Sequence, residues 1–180
     1  MHIFLQGPKR IGKSTVISKT LDILSSEIPI VPGGFFTWNG GRDDPHVYMR
    51  PVRPGGEGEI YRLASYDFDK GGLAANISAF EEDGVRILSA RDGADLIIMD
   101  ELGFLESKAR LFRQAVLETL EGQVPVLGVL RLGDIPWHEE IKRSPLVSLA
   151  DVNENSRDYL PRELVSLLKK SMLFRERGVY

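Results

Sequence analysis

The stretch GPKRIGKST, Gly7 to Thr15, directly after the apolar run MHIFLQ, constrains this chain more than any other. Gly7, Gly12, Lys13 and Ser14 satisfy the spacing G-x-x-x-x-G-K-[ST]. The apolar run before them and the helical pattern after them place the motif between a strand and a helix start, where it has to stand to work. Glycines permit a loop whose backbone N–H groups all turn inward, so a polyphosphate is held by these donors and by the positive end of the following helix. On that reading Gly7, Pro8, Lys9, Arg10, Ile11, Gly12, Lys13, Ser14 and Thr15 bind nucleotide. Lys13 reaches the β- and γ-phosphates, and Ser14 gives its hydroxyl oxygen to Mg²⁺, a hard cation that prefers oxygen. The bland alternative is a glycine-rich turn capped by a serine, and the strand and helix on either side weigh against it.

A phosphate loop needs a partner: an acidic residue at the end of a nearby buried strand. DLIIMDELGFLE, Asp95 to Glu106, supplies one, with an apolar run ending in Asp100 and Glu101 directly after it. Asp100 would hold the Mg²⁺, commonly through water, and Glu101 would orient or deprotonate a water for attack on the γ-phosphorus. Two carboxylates beside a triphosphate repel it unless a dication stands between them, so Mg²⁺ is part of the expectation. A pair of solvated carboxylates capping a strand is the alternative.

Apolar runs alternate with helical patterns along the chain. Strands are expected at about Ile3 to Leu5 and Phe35 to Trp38, and buried strands at Asp95 to Asp100, Val124 to Leu130 and Leu146 to Val152. Helices are expected from Lys13 to about Ser25, on the face marked by Phe112, Ala115, Val116, Thr119 and Leu120, and from Pro161 onward with Leu164, Leu168 and Met172 buried. The alternation predicts an α/β fold, a mostly parallel sheet covered by helices on both faces. Between Pro32 and Gly58 the glycines and prolines are too dense for a core element; HVYMRPV and EIYRLASY, joined by PGGEG, read as a hairpin set on the sheet, an insertion of about residues 38 to 66 in a single domain of residues 1 to 180. With 42% hydrophobic and 27% charged residues there is material for one core.

A formal charge of −3 and a pI near 5.7 give no overall basic field, which disfavours nucleic acid or an anionic membrane as the main partner. The chain has no cysteine, so disulfides, thiolate metal sites and a cysteine nucleophile are excluded, and His2, His46 and His138 lack zinc spacing. No apolar stretch approaches the ~20 residues of a membrane span, and the amino terminus lacks a signal-peptide pattern. The expected location is cytoplasmic.

DELGFLE, followed by SKARLFRQAVLETLEGQVPVLGVL, resembles the small P-loop nucleoside-triphosphatase family, whose members carry an Asp-Glu-Ile-Gly-x-Met-Glu signature after a Walker A loop, then a helix with a central phenylalanine and a Pro-Val strand. The signature positions fall here on Asp100, Glu101, Leu102, Gly103, Leu105 and Glu106, and the phenylalanine on Phe112. GGFFT is similar to the family's Gly-Phe-Tyr-Thr, and HEEIKRSPLVSLADVNENSRDYLP to the stretch leading into its base-side motif, so the likeness touches nearly the whole chain. After Thr37, where the family carries acidic residues and an arginine, stand Trp38, Asn39, Gly40, Gly41 and Arg42; in the last motif Asn155 is displaced and Arg157 and Asp158 match. The resemblance implies Mg²⁺-dependent hydrolysis of ATP, GTP and other nucleoside triphosphates with loose base choice. It also implies a RecA-like sheet with an extra strand between the phosphate-loop strand and the Asp-Glu strand, and base contacts from Arg157 and Asp158.

Other residues stay open at this level. Any of Arg42, Arg50, Arg53, Arg62, Arg110 or Arg113 could neutralise charge on the γ-phosphate, or belong to a solvated face. Thr37 could sense the γ-phosphate or cap its strand. Glu106 is expected to hold the turn before a helix capped by Ser107; Trp38 and Trp137 could stack on a base, with core packing the expected role. Asn155, Ser156 and Asp158 could equally shape the entry to the last helix. Two rival functions remain: a kinase passing the γ-phosphoryl to a small acceptor under an arginine-rich lid, and a binding module switched by nucleotide occupancy.

Overall fold

The computed structural model describes residues 1–53 and 58–176. In chain order the elements are β1 (His2–Gln6), α1 (Lys13–Glu27), β2 (Pro32–Asn39), β3 (His46–Pro51), β4 (Tyr61–Asp67), β5 (Gly72–Ala75), a π-helical turn (Ala79–Gly84) running into α2 (Val85–Ser89), and β6 (Leu96–Leu102). A short 3₁₀ turn (Leu105–Lys108), α3 (Arg110–Leu120), β7 (Val126–Leu130), α4 (His138–Lys142), β8 (Val147–Asp151) and α5 (Leu160–Glu176) complete it.

The strands form an eight-stranded sheet in the order β5-β4-β3-β2-β6-β7-β1-β8. From β2 to β8 the pairings are parallel, while β3, β4 and β5 continue the other edge antiparallel. The expected α/β fold is present, and β7 lies between β1 and β6, the spacing the family resemblance implies.

Period-two alternation sorts side chains to the two faces. Ile3 and Leu5 of β1, Leu96 and Ile98 of β6, and Leu127 and Val129 of β7 pack on Val16, Ile17 and Leu24 of α1 and Leu164 and Leu168 of α5. Phe4, Ile97, Met99, Val126 and Leu130 point the other way, onto Phe112 and Val116 of α3, Phe80 and Leu88. Strands buried on both faces read as unbroken apolar runs, which is why β1, β6 and β7 were legible.

Several expectations are corrected. Leu146 to Val152 is not a fully buried strand: β8 is the sheet edge, and Leu149 is 46% exposed. Pro32, Gly33 and Gly34 are part of β2, where Gly34 comes so close to Ile98 of β6 that no side chain would fit, so the glycine-dense segment does begin inside the sheet. The expected hairpin strands are β3 and β4, with joining residues 54–57 outside the described residues; β5, which no sequence pattern announced, pairs alongside β4. Ser107 lies in the 3₁₀ turn and caps no helix; α3 starts at Arg110, and Glu81 accepts the Leu111 N–H at 3.1 Å.

Candidate nucleotide site

The loop between β1 and α1 owes its path to two glycines. A Cβ on Gly7 would lie 2.4 Å from the Val152 carbonyl oxygen, and Gly12, at φ 105°, caps α1 in the left-handed region without any side-chain cap. Arg10 adopts φ 66°, unusual for a residue with a side chain. Lys13 is 8% exposed and donates from Nζ to the carbonyls of Gly7 at 2.8 Å and Pro8 at 2.9 Å. Burial holds the Lys13 ammonium below its ordinary pKa, against the raising influence of Glu101 and Asp100. Ile11 packs against the α1/α5 core, and Pro8 offers its carbonyl.

Because β6 runs parallel to β7 and β7 to β1, the carboxyl ends of β1 and β6 lie at the same end of the strands. There Ser14 Oγ donates to Asp100 Oδ1 at 3.0 Å. Asp100 is 2% exposed; burial pushes its carboxyl up to about 7, Glu101 adds to the rise, and the Ser14 hydrogen bond and Lys13 oppose it. A carboxyl driven toward neutrality by desolvation, beside a serine hydroxyl, is an environment that a cation would reverse. Among the described residues no group of three or more His, Asp or Glu could hold a metal unaided. Ser14 and Asp100 therefore fit an ion that takes its other oxygens from phosphate and water, as Mg²⁺ commonly does.

Arg131, the residue after β7, escaped the sequence reading. Its Nη1 donates to Glu101 Oε1 at 3.2 Å, and its guanidinium lies 4.8 Å from the centroid of the Phe104 ring. The available signal was its position: it directly follows the buried run VLGVL, and a central strand of a parallel sheet ends beside the loop. A cavity of about 400 Å³ is lined by Lys9, Arg10, Lys13, Ser14, Thr15, Glu101 and Arg131 with Gly7 and Gly12.

The other candidate arginines take different places. Arg113 binds Glu140 at 3.1 Å and the Ser107 carbonyl, and lies over Trp137; Arg50 lies over Phe36; Arg110 is exposed. Trp137 is buried and donates from Nε1 to the Gly103 carbonyl at 2.9 Å, while Trp38 stacks on Tyr48 at 36% exposure instead of packing in the core. Glu106 accepts the Gly103 N–H, and burial pushes its carboxyl up to about 7, so it holds the turn after β6 as expected. Arg157 and Asp158 are exposed in the turn after β8, at the same end of the strands as the loop, and do not line this cavity. Asn153 and Ser156, not Asn155, order that turn: Asn153 Oδ1 accepts the Asn155 and Ser156 N–H groups, and Ser156 Oγ donates to the Asp151 carbonyl.

A family model described as NTPase matches residues 2–165. The nucleoside-triphosphatase THEP1 of Thermotoga sp. (strain RQ2) is 32% identical, covering 94% of this chain and 96% of its own length. The cancer-related nucleoside-triphosphatase of Homo sapiens is 27% identical, covering 94% and 97%. The crystal structure of THEP1 from the hyperthermophile Aquifex aeolicus superposes with a TM-score of 0.76 at 27% identity, over 93% of this chain and 99% of that one.

Proposed function

Since the chain belongs to the NTPase family, we propose that it hydrolyses nucleoside triphosphates to diphosphate and phosphate, with Mg²⁺ and with loose choice of base. The observation that carries this is the meeting of the Ser14–Asp100 pair with Lys13, Glu101 and Arg131 at the carboxyl ends of the central strands. Loop amides and Lys13 bind the β- and γ-phosphates, Lys13 exchanging the Gly7 and Pro8 carbonyls for phosphate oxygens. Ser14 and Asp100 would hold the Mg²⁺, which when bound would neutralise negative charge on the triphosphate.

Glu101 orients a water and takes its proton as the water oxygen bonds to the γ-phosphorus and the bond to the β-phosphate oxygen breaks. Arg131 shares Glu101 through a half-exposed ion pair, a contact worth only about 0–1 kcal/mol, so its guanidinium is readily turned to the charge that grows on the γ-phosphoryl oxygens. Loose base choice is supported by where the directed contacts lie: on the phosphates, with Arg157 free to stack on any base and Asp158 beside it.

The test is phosphate release from ATP, GTP, CTP and UTP by the purified protein, with Mg²⁺ and with chelator. Release from all four with Mg²⁺, and loss of it with chelator, is expected. No release from any of them sinks the proposal.

A further inference from the structure

Hydrolysis asks for no more than a few waters beyond the γ-phosphate, each needing about 30 Å³. The structure holds far more space there. A cavity of about 770 Å³ starts at Ser14, Asp100, Glu101 and Arg131 and continues under the antiparallel edge of the sheet. Its floor is apolar: Val47 from β3, Leu63 from β4, Leu73 from β5 and Phe80 from the π-helical turn. Its volume falls in the range of small-molecule pockets, and an apolar floor with a few polar groups at one end is their usual make-up.

We propose that this cavity is a second ligand site, taking a small anion with a flat apolar body, seated against the γ-phosphate position of the site proposed above. Three features set that chemistry. The floor side chains carry no polar atom; Val47 and Leu73 are part-buried and Leu63 and Phe80 buried. Trp38, stacked at 5.5 Å on Tyr48 and 36% exposed, lines the cavity and offers a ring face for a planar body. Lys9, Arg10 and Arg42 line it as well and form no ion pair among the described residues, while Arg131 is already matched by Glu101. Lys9 and Arg10 belong to the phosphate loop and are needed by the nucleotide, which leaves Arg42 for the ligand's charge. An occupant lies on the side from which water reaches Glu101, so it slows hydrolysis without displacing nucleotide. This assigns a purpose to β3, β4 and β5, which the phosphate chemistry leaves without one.

The probe is 8-anilinonaphthalene-1-sulfonate, an anion with a flat apolar body, titrated by fluorescence into the full-length protein. Titrations are made without nucleotide and with the β,γ-imido analogue of ATP plus Mg²⁺. Expected is one saturable site in both conditions, weakened about tenfold or more in Leu73→Trp, which fills the floor from a short half-buried strand, and severalfold in Arg42→Glu at the exposed rim. The probe should slow phosphate release by the wild type and leave Leu73→Trp turnover unchanged. Equal affinity in wild type and Arg42→Glu, equal affinity in a folded Leu73→Trp, or displacement of the probe by the analogue would each overturn the site. Binding is read without turnover, so absence of phosphate release would strike the hydrolase reading and leave this result standing.

Discussion

At the residue scale, burial moves two groups of the site, Asp100 and Lys13, off their solution chemistry. Asp100 is driven toward neutrality and Lys13 toward a lower pKa, and each opposes the other's shift. Glu101, half-exposed and paired with Arg131, is the carboxylate left open to water. Glu101→Gln keeps the shape and loses the proton acceptor; nucleotide binding should persist while turnover falls about 10²-fold or more, and wild-type rates in that variant would remove Glu101 from the mechanism. Arg131→Ala should lower kcat by about 10²- to 10³-fold with nucleotide affinity changed only severalfold. An affinity loss as large as the rate loss would make Arg131 a ground-state binding residue instead. The placement of Lys13 and Ser14 was legible because the loop chemistry fixes residue types at fixed spacing, and that of Asp100 and Glu101 because they end a buried apolar run; the fold brings the four together. Arg131 carries no such spacing: it reaches Glu101 only because β7 lies beside β6.

At the scale of elements, close approach decides which residues a strand can carry. β7 runs between β6 and β1, and a Cβ on Gly128 would lie 2.5 Å from the Phe4 ring, which is fully buried. Gly128→Ala should cost about 1–3 kcal/mol in urea unfolding, and Phe4→Leu in the same background should recover part of it. Equal stability of Gly128→Ala and wild type would show that the ring shifts freely. The helical face of α3 was read residue for residue, since its apolar period is undiluted. The Ala79–Ser89 segment was not: Gly84 interrupts it, and its reason, the Phe112 ring 2.6 Å from where a Cβ would stand, is a tertiary contact.

At the scale of the molecule, buried ionisable groups set the dependence of stability on pH. His2 and His138 are buried, and burial pushes both down to about 4. Their contribution is present above about pH 6.5 and is lost as pH falls toward 4, because the unfolded chain takes up protons that the folded one refuses. Glu106 works in the opposite sense. Its folded carboxyl is raised to about 7, so its contribution is present below about pH 4.5 and is lost as pH rises toward 7. In Glu106→Gln the group no longer ionises. Measured by urea unfolding at pH 4.5 and pH 7, the variant should gain about 3 kcal/mol on the wild type between the two values, each pKa unit being worth about 1.4 kcal/mol. An unchanged difference would mean that Glu106 ionises freely in the fold.

By itself the sequence determined the parallel α/β core, the loop from Gly7 to Thr15 and the acidic pair at Asp100 and Glu101, because each depends on local periodicity or on residue types at set spacing along one segment. Tertiary structure alone decided that β8 is an edge, that β3, β4 and β5 extend the sheet around a cavity, and that Arg131 stands against Glu101. Those facts depend on which distant segments become neighbours, and strand order is settled by the packing of whole faces, which no single stretch of chain encodes.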